Sequence, residues 1–164
     1  MPQSQETAQI FVNTVLHSWN QWFNRADKTL ASISDEEMLR EIAPGKNRIV
    51  YIIGHLIAVN DGMIPQLGLG TSLFPHLRKI FIEQPDRAAE QPTIVELRAA
   101  WAAIHEKLNG AFSAFTPEQW LERHATVSAE DFAREPHRNR LGIVLSRTGH
   151  LSYHLGQIIP AIKH

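Results

Sequence analysis

Cysteine is absent from this chain of 164 residues. Disulfides, thiolate zinc sites, iron–sulfur clusters and a thiol nucleophile of the chain's own are thereby excluded. Any thiol chemistry must bring its thiol from a cofactor or a substrate. Charge of one sign is also lacking: 16 Lys and Arg stand against 17 Asp and Glu, a formal net charge of -1. No basic patch offers nucleic acid a footing, and no acidic run marks an interaction tail. No stretch is long and apolar enough to span a bilayer, so no membrane partner is expected. The opening residues, Met1-Pro-Gln-Ser-Gln-Glu6, lack the basic start and apolar run of a signal peptide, and a cytoplasmic location is the default expectation. Strand signals are poor too, with no hairpin dipeptide between alternating runs.

What remains is helical. Residues 1–164, with 43% hydrophobic content, are expected to form one domain whose core needs no covalent staple. The punctuation divides them into four long helical patterns joined by loops with short helices. The first runs from about Ser4 to Asn24, with Ile10, Phe11, Thr14, Val15, Ser18 and Trp22 at helical spacing. A linker follows, in which Ser34-Asp-Glu-Glu37 reads as a capping box, before Ala43-Pro-Gly-Lys46 breaks the chain. Asn47 is the expected cap of the second helix, which runs to about Ile64 ahead of Pro65.

Residues 65–92 read as irregular, with a short helix around His76–Ile82. Thr93, followed three residues later by Glu96, opens the third helix, whose stripe is Leu97, Trp101, Ile104, Leu108, Phe112 and Phe115. Thr116-Pro-Glu-Gln119 opens a short helix through Trp120 and Leu121. Residues 122–138 are polar and ambiguous. The fourth helix begins near Asn139 or Arg140 and runs to about Ile162, with Pro160 placed to kink or fray its last turn. Its Val144, Thr148, Leu151, Leu155, Ile158 and Ile162 fall in one arc roughly 80° wide at ~100° per residue. Four such amphipathic helices bury their stripes most simply as an all-α, antiparallel four-helix bundle with long connections carrying short helices.

Nine histidines are many for this length. His150 and His154 stand four apart and so project from one helix face about a turn apart. They lie roughly 60–100° to one side of Leu151 and so flank the core rather than replace it. Ile143, Arg147 and Gln157 share that flank. His55 sits at the edge of the second helix's apolar arc, formed by Ile49, Ile52, Ile53, Leu56 and Val59. Two imidazoles from one helix and a third from its neighbour can meet one ion at metal–nitrogen distances of ~2.0–2.1 Å. The same residues also fit hydrogen-bonded boundary histidines, and the pair lacks the glutamate of a zinc-protease HExxH motif.

Two segments carry a resemblance. Gly149-His-Leu-Ser-Tyr-His-Leu-Gly-Gln157 resembles the fourth-helix signature of the DinB/YfiT-like bacterial helical bundles. Ala43-Pro-Gly-Lys-Asn-Arg-Ile-Val-Tyr-Ile-Ile-Gly-His55-Leu resembles the second-helix signature of the same family. The Thr93 helix start and the Thr116-Pro-Glu segment fit as well, so the resemblance covers nearly the whole chain. Tyr51 stands where many members carry tryptophan, a change that bears on packing rather than ligation.

The resemblance implies an up-up-down-down-like four-helix bundle, often a homodimer. It also implies a divalent metal, usually zinc or nickel, held by His55, His150 and His154. Three neutral imidazoles suit such ions better than Mg²⁺ or Ca²⁺ and leave a coordination position open for water or a small-molecule substrate. Some relatives are thiol-dependent transferases or isomerases, which suggests by analogy a low-molecular-weight thiol acting on a small electrophile. Metal-dependent hydrolysis of a small substrate is the enzymatic alternative. A non-enzymatic bundle that binds a ligand or is stabilised by its metal is the other.

Around such a site Gln157 is a candidate to orient a ligand or a metal-bound water, Arg147 to meet an anionic group, and Asp61 to act as base or to support a ligand. Each also reads as an ordinary helix-surface, interhelix or loop residue. Gly149, Ser152, Gly156 and Pro160 gather on the face of the fourth helix away from the metal flank. That face is expected to pack closely on a neighbouring helix, of the same chain in the first instance and otherwise across a dimer.

Overall fold

The computed structural model describes the backbone of residues 2–162 and the side chains of residues 5–162. Four long helices make the bundle: α1 (Pro2–Ser32), α3 (Ile49–Asp61), α6 (Ile94–Phe112) and α9 (Arg140–Ile162). Short helices ride on the connections: α2 (Asp35–Met38), α4 (Met63–Gln66), α5 (His76–Phe81), α7 (Pro117–Leu121) and α8 (Ala129–Arg134). No strand occurs among the described residues. The protein is an all-α four-helix bundle with long, helix-bearing connections, as the patterning predicts. No helix among the described residues is long and apolar enough to cross a membrane.

The first helix departs from its sequence reading. It continues to Ser32 rather than stopping near Asn24, because its buried stripe does not stop there. Val12, Trp19, Phe23, Ala26 and Leu30 are buried, and Ile33 follows just past the helix. Their steps of three, four and seven keep one face inward for five turns. Ile10 and Phe11, expected on that face, are 60% and 64% exposed. The end of α1 is closed by a long-range cap: the Arg98 guanidinium donates to the carbonyls of Leu30 and Ile33. Those carbonyls would otherwise be unpaired helix-end acceptors.

Smaller corrections concern termini. The α3 cap is Arg48, without a side-chain cap bond, rather than Asn47. Gly62 separates α3 from the single turn of α4, so the expected run to Ile64 is broken. Phe115 lies beyond α6 and packs on Trp120 with ring centroids 5.0 Å apart. Within the ambiguous 122–138 segment, Ser128 caps α8 by accepting from the Asp131 backbone N–H at 3.0 Å. Pro160 sits inside α9 without ending it. The capping boxes at Ser34, Thr93 and Thr116 are all formed.

One hydrophobic cluster draws on all four long helices. α3 is the central rod, with residues 49–54 and 56–58 all buried and His55 only half-buried between them. α1 lies along α9, while α3 contacts α5, α6 and α9. The loop after α5 is tied to the start of α3 by Asp86, whose carboxylate takes the Arg48 guanidinium at 2.7 Å and its backbone N–H at 3.0 Å. Burial alone would raise the Asp86 pKa, but Arg48 and the Gln91 amide outweigh it and hold it at about 2.

The expected close packing of Gly149, Ser152, Gly156 and Pro160 inside the chain does not occur. Gly149, Gly156 and Pro160 are exposed, and a Cβ on either glycine would meet nothing within 4 Å. The stripe of α9 that includes Leu151, Leu155 and Ile158 takes the core instead and turns these small residues outward.

Candidate metal centre

His55 on α3 and His150 and His154 on α9 converge. The His150 Nε2 lies 3.2 Å from the Nε2 of His55 and 3.1 Å from that of His154. Ligand atoms of all three fall within 4.8 Å of one another. Two nitrogens bonded to one ion at ~2.0–2.1 Å must stand about 2.9–3.4 Å apart for bond angles near 90–110°. The observed spacings lie inside that window, so the three rings fit a divalent ion. All three residues are half-buried.

The neighbours fix which nitrogen faces the centre. His55 donates through Nδ1–H to the carbonyl of Phe81 at 2.9 Å. A carbonyl can only accept, so Nδ1 carries a proton, and in the neutral ring the Nε2 lone pair is bare. Phe81 is the last residue of α5, and a helix's terminal carbonyls have no partner within the helix. Gly54 brings that carbonyl within reach. A Cβ there would stand 2.3 Å from Phe81 Cε1, so only glycine lets the ring lie directly on α3. His154 makes the matching bond, with Nδ1 2.8 Å from Gln157 Oε1 one turn along α9. Its Nε2 is likewise directed inward. His150 differs, since its buried Nδ1 has no hydrogen-bond partner.

Electrostatics favours neutral ligands. Burial, followed by the neighbouring His154, His55 and Arg147, pushes the His150 pKa down to about 4. Burial also lowers that of His154, with the Gln157 bond opposing it. Both rings are therefore uncharged near neutrality, each carrying one proton and one nitrogen lone pair.

The remaining candidates divide. Gln157 touches the site through His154. Arg147 stands one turn before His150 and is half-buried, with its Nε buried and unpartnered. Asp61 is engaged elsewhere: its two oxygens accept the backbone N–H groups of Leu73 and Phe74 at 2.8 and 3.0 Å. It is 2% exposed and pins the loop before α5 rather than joining the histidines. The sequence reading missed Phe81 and Gly54. A backbone acceptor leaves no residue signature, and Phe81 lies 26 residues from the ring it holds.

A search of curated proteins returns no match to the chain. A family model described as DinB superfamily matches residues 19–158. That span contains α3, α6 and all three histidines, together with the C-terminal part of α1 and all but the last turn of α9. The chain is therefore a member of the DinB superfamily.

Proposed function

We propose that the protein is a metalloenzyme that holds Zn²⁺ or Ni²⁺ on His55, His150 and His154 and transfers or isomerises through an external thiol. The observation that carries the reading is the set of Nε2 spacings, 3.1 and 3.2 Å, with two of the rings held in the ligating tautomer. An ion bound by three neutral imidazoles keeps its full charge, retains an open position and acidifies a thiol or water that binds there. The chain's own contribution is orientation. Phe81 fixes His55, Gln157 fixes His154, and the core arc of α9 keeps His150 in register. Cysteine being absent, the thiol comes with the cofactor. Its sulfur would form the new bond to an electrophilic carbon, its proton passing to solvent and the displaced group leaving with its electron pair.

Elemental analysis of protein purified without an affinity tag is expected to give one Zn or Ni per chain, falling to background in His154→Ala. A panel of thiols with small electrophiles is expected to give turnover that chelator abolishes. Turnover without thiol would support metal-dependent hydrolysis instead. A large fall in melting temperature on metal removal, with no turnover in either panel, would mark a structural ion.

The outward face of α9 supports a homodimer. Leu145 and Tyr153 are 57% and 63% exposed there, beside the unobstructed Gly149 and Gly156. Small residues next to two large apolar ones let a second helix approach closely.

A further inference from the structure

Arg147 is a cation with no counter-ion. Among the described residues its guanidinium has neither hydrogen bond nor salt bridge, and its Nε is fully buried. The two terminal nitrogens are therefore its accessible, unpaired donors. Holding a half-buried charge in this way is costly unless something pairs with it. Its position makes the cost informative. It lies three residues before His150 on α9, where side chains on one helix face stand ~5–6 Å apart at Cβ. Its charge is felt at the His150 ring.

The histidine group contains no carboxylate. A divalent ion there would add two positive charges beside the guanidinium, with no anion from the protein among its ligands. We infer that Arg147 receives an oxyanion on the molecule that binds the metal, so that the site selects ligands carrying a metal-seeking atom and, about one helical turn away, a carboxylate-like group. This rests on the metal reading for the ligand's other end. A guanidinium presents its donors as a planar fork that matches a carboxylate, which a lysine ammonium does not.

The test uses Co²⁺-loaded full-length protein, in which a bound thiolate gives a charge-transfer absorption. Titrations compare 3-mercaptopropionate with 2-mercaptoethanol, which lacks the carboxylate, at low ionic strength. The wild-type preference for 3-mercaptopropionate is expected to fall about tenfold in Arg147→Gln, the loss of one charge-assisted contact. Cobalt content should stay unchanged, 2-mercaptoethanol affinity should fall less than that of 3-mercaptopropionate, and Arg147→Lys should retain part of the preference. The melting temperature of Arg147→Gln should equal or exceed that of the wild type, whereas a structural role predicts a fall. An identical preference in wild type and Arg147→Gln overturns the inference. If no cobalt binds, the metal reading fails by itself. Arg147 is then tested by adding propionate to metal-free protein and following the arginine Nε–H resonances by NMR. A salt-sensitive shift of the signal missing from Arg147→Gln sustains the anion contact, and no shift ends it.

Discussion

Gly54→Ala tests whether the metal centre is built from outside its ligands. The new Cβ would stand 2.3 Å from Phe81 Cε1, about 1.1 Å inside ordinary contact at 3.4 Å. The Phe81 ring is fully buried and cannot swing away, so α5 must move. A rigid shift of about 1.1 Å along the His55–Phe81 bond would stretch it from 2.9 Å to about 4.0 Å, beyond hydrogen bonding. Overpacking of this kind costs about 1–3 kcal/mol, offset by about 0.5–1 kcal/mol from alanine's better helix propensity. Global stability should therefore fall only modestly. Metal affinity should fall further, by about 10–100-fold, the usual effect of losing the group that orients a ligating histidine. Competition against a chromophoric chelator measures it. The double variant Gly54→Ala, Phe81→Leu restores space beneath the ring and should recover most of the affinity. Unchanged metal affinity in Gly54→Ala, with the stability loss present, would refute the reasoning.

His105 should make stability depend on pH. It is 4% exposed among Trp19, Phe23 and Trp101, donates Nδ1–H to the Trp101 carbonyl at 2.7 Å, and burial pushes its pKa down to about 3. The unfolded chain, with an ordinary value near 6.5, binds the extra proton first, so stability is full above about 6.5 and declines as pH falls toward 3. Between pH 7.5 and 4.5 that amounts to about 2–3 kcal/mol, and the difference in urea stability between the two pH values should shrink by that amount in His105→Gln. For the proposed dimer, sedimentation of the wild type should give twice the chain mass, and Tyr153→Glu should give monomers that keep their metal. Metal-replete wild type sedimenting as a monomer at high concentration would remove the dimer.

How much was legible follows from which physical signals are local. The caps at Ser34, Thr93 and Thr116 depend on residues three apart, and all three form. The His150–His154 pair follows from the helical period alone. The buried face of α1 is not legible locally, because Ile10 and Phe11 are apolar yet exposed, while the helix is anchored through Trp19 and Phe23, whose rings pack on His105 and Trp101 of α6. Its end carries no local signal, because the group that closes it, Arg98, is 68 residues away from Leu30. Asp61 looked available because a carboxylate at a helix end gives no sign of the loop that will fold over it. The outward turn of Gly149 and Gly156 depends on which arc of α9 the other helices choose, a tertiary decision. The site's ligands were thus readable from residue type and period, but their supports were not.

His150 carries the last consequence. Its buried Nδ1 has no partner, unlike those of His55 and His154. A neutral ring has one proton to place. On Nδ1 it would be a buried donor without an acceptor, costing about 1–3 kcal/mol. On Nε2 it can be donated to the bare Nε2 of His55 or His154, at 3.2 and 3.1 Å. Metal-free protein should therefore hold His150 as the Nε2–H tautomer, and a bound ion must drive that proton to Nδ1. Nitrogen-15 NMR of the imidazoles distinguishes the two tautomers directly. Zn²⁺ titration should switch the tautomer of His150 while those of His55 and His154 stay as they are. If His150 already carries its proton on Nδ1 before metal is added, the unpaired donor has found a partner, and the asymmetry among the three rings loses its meaning.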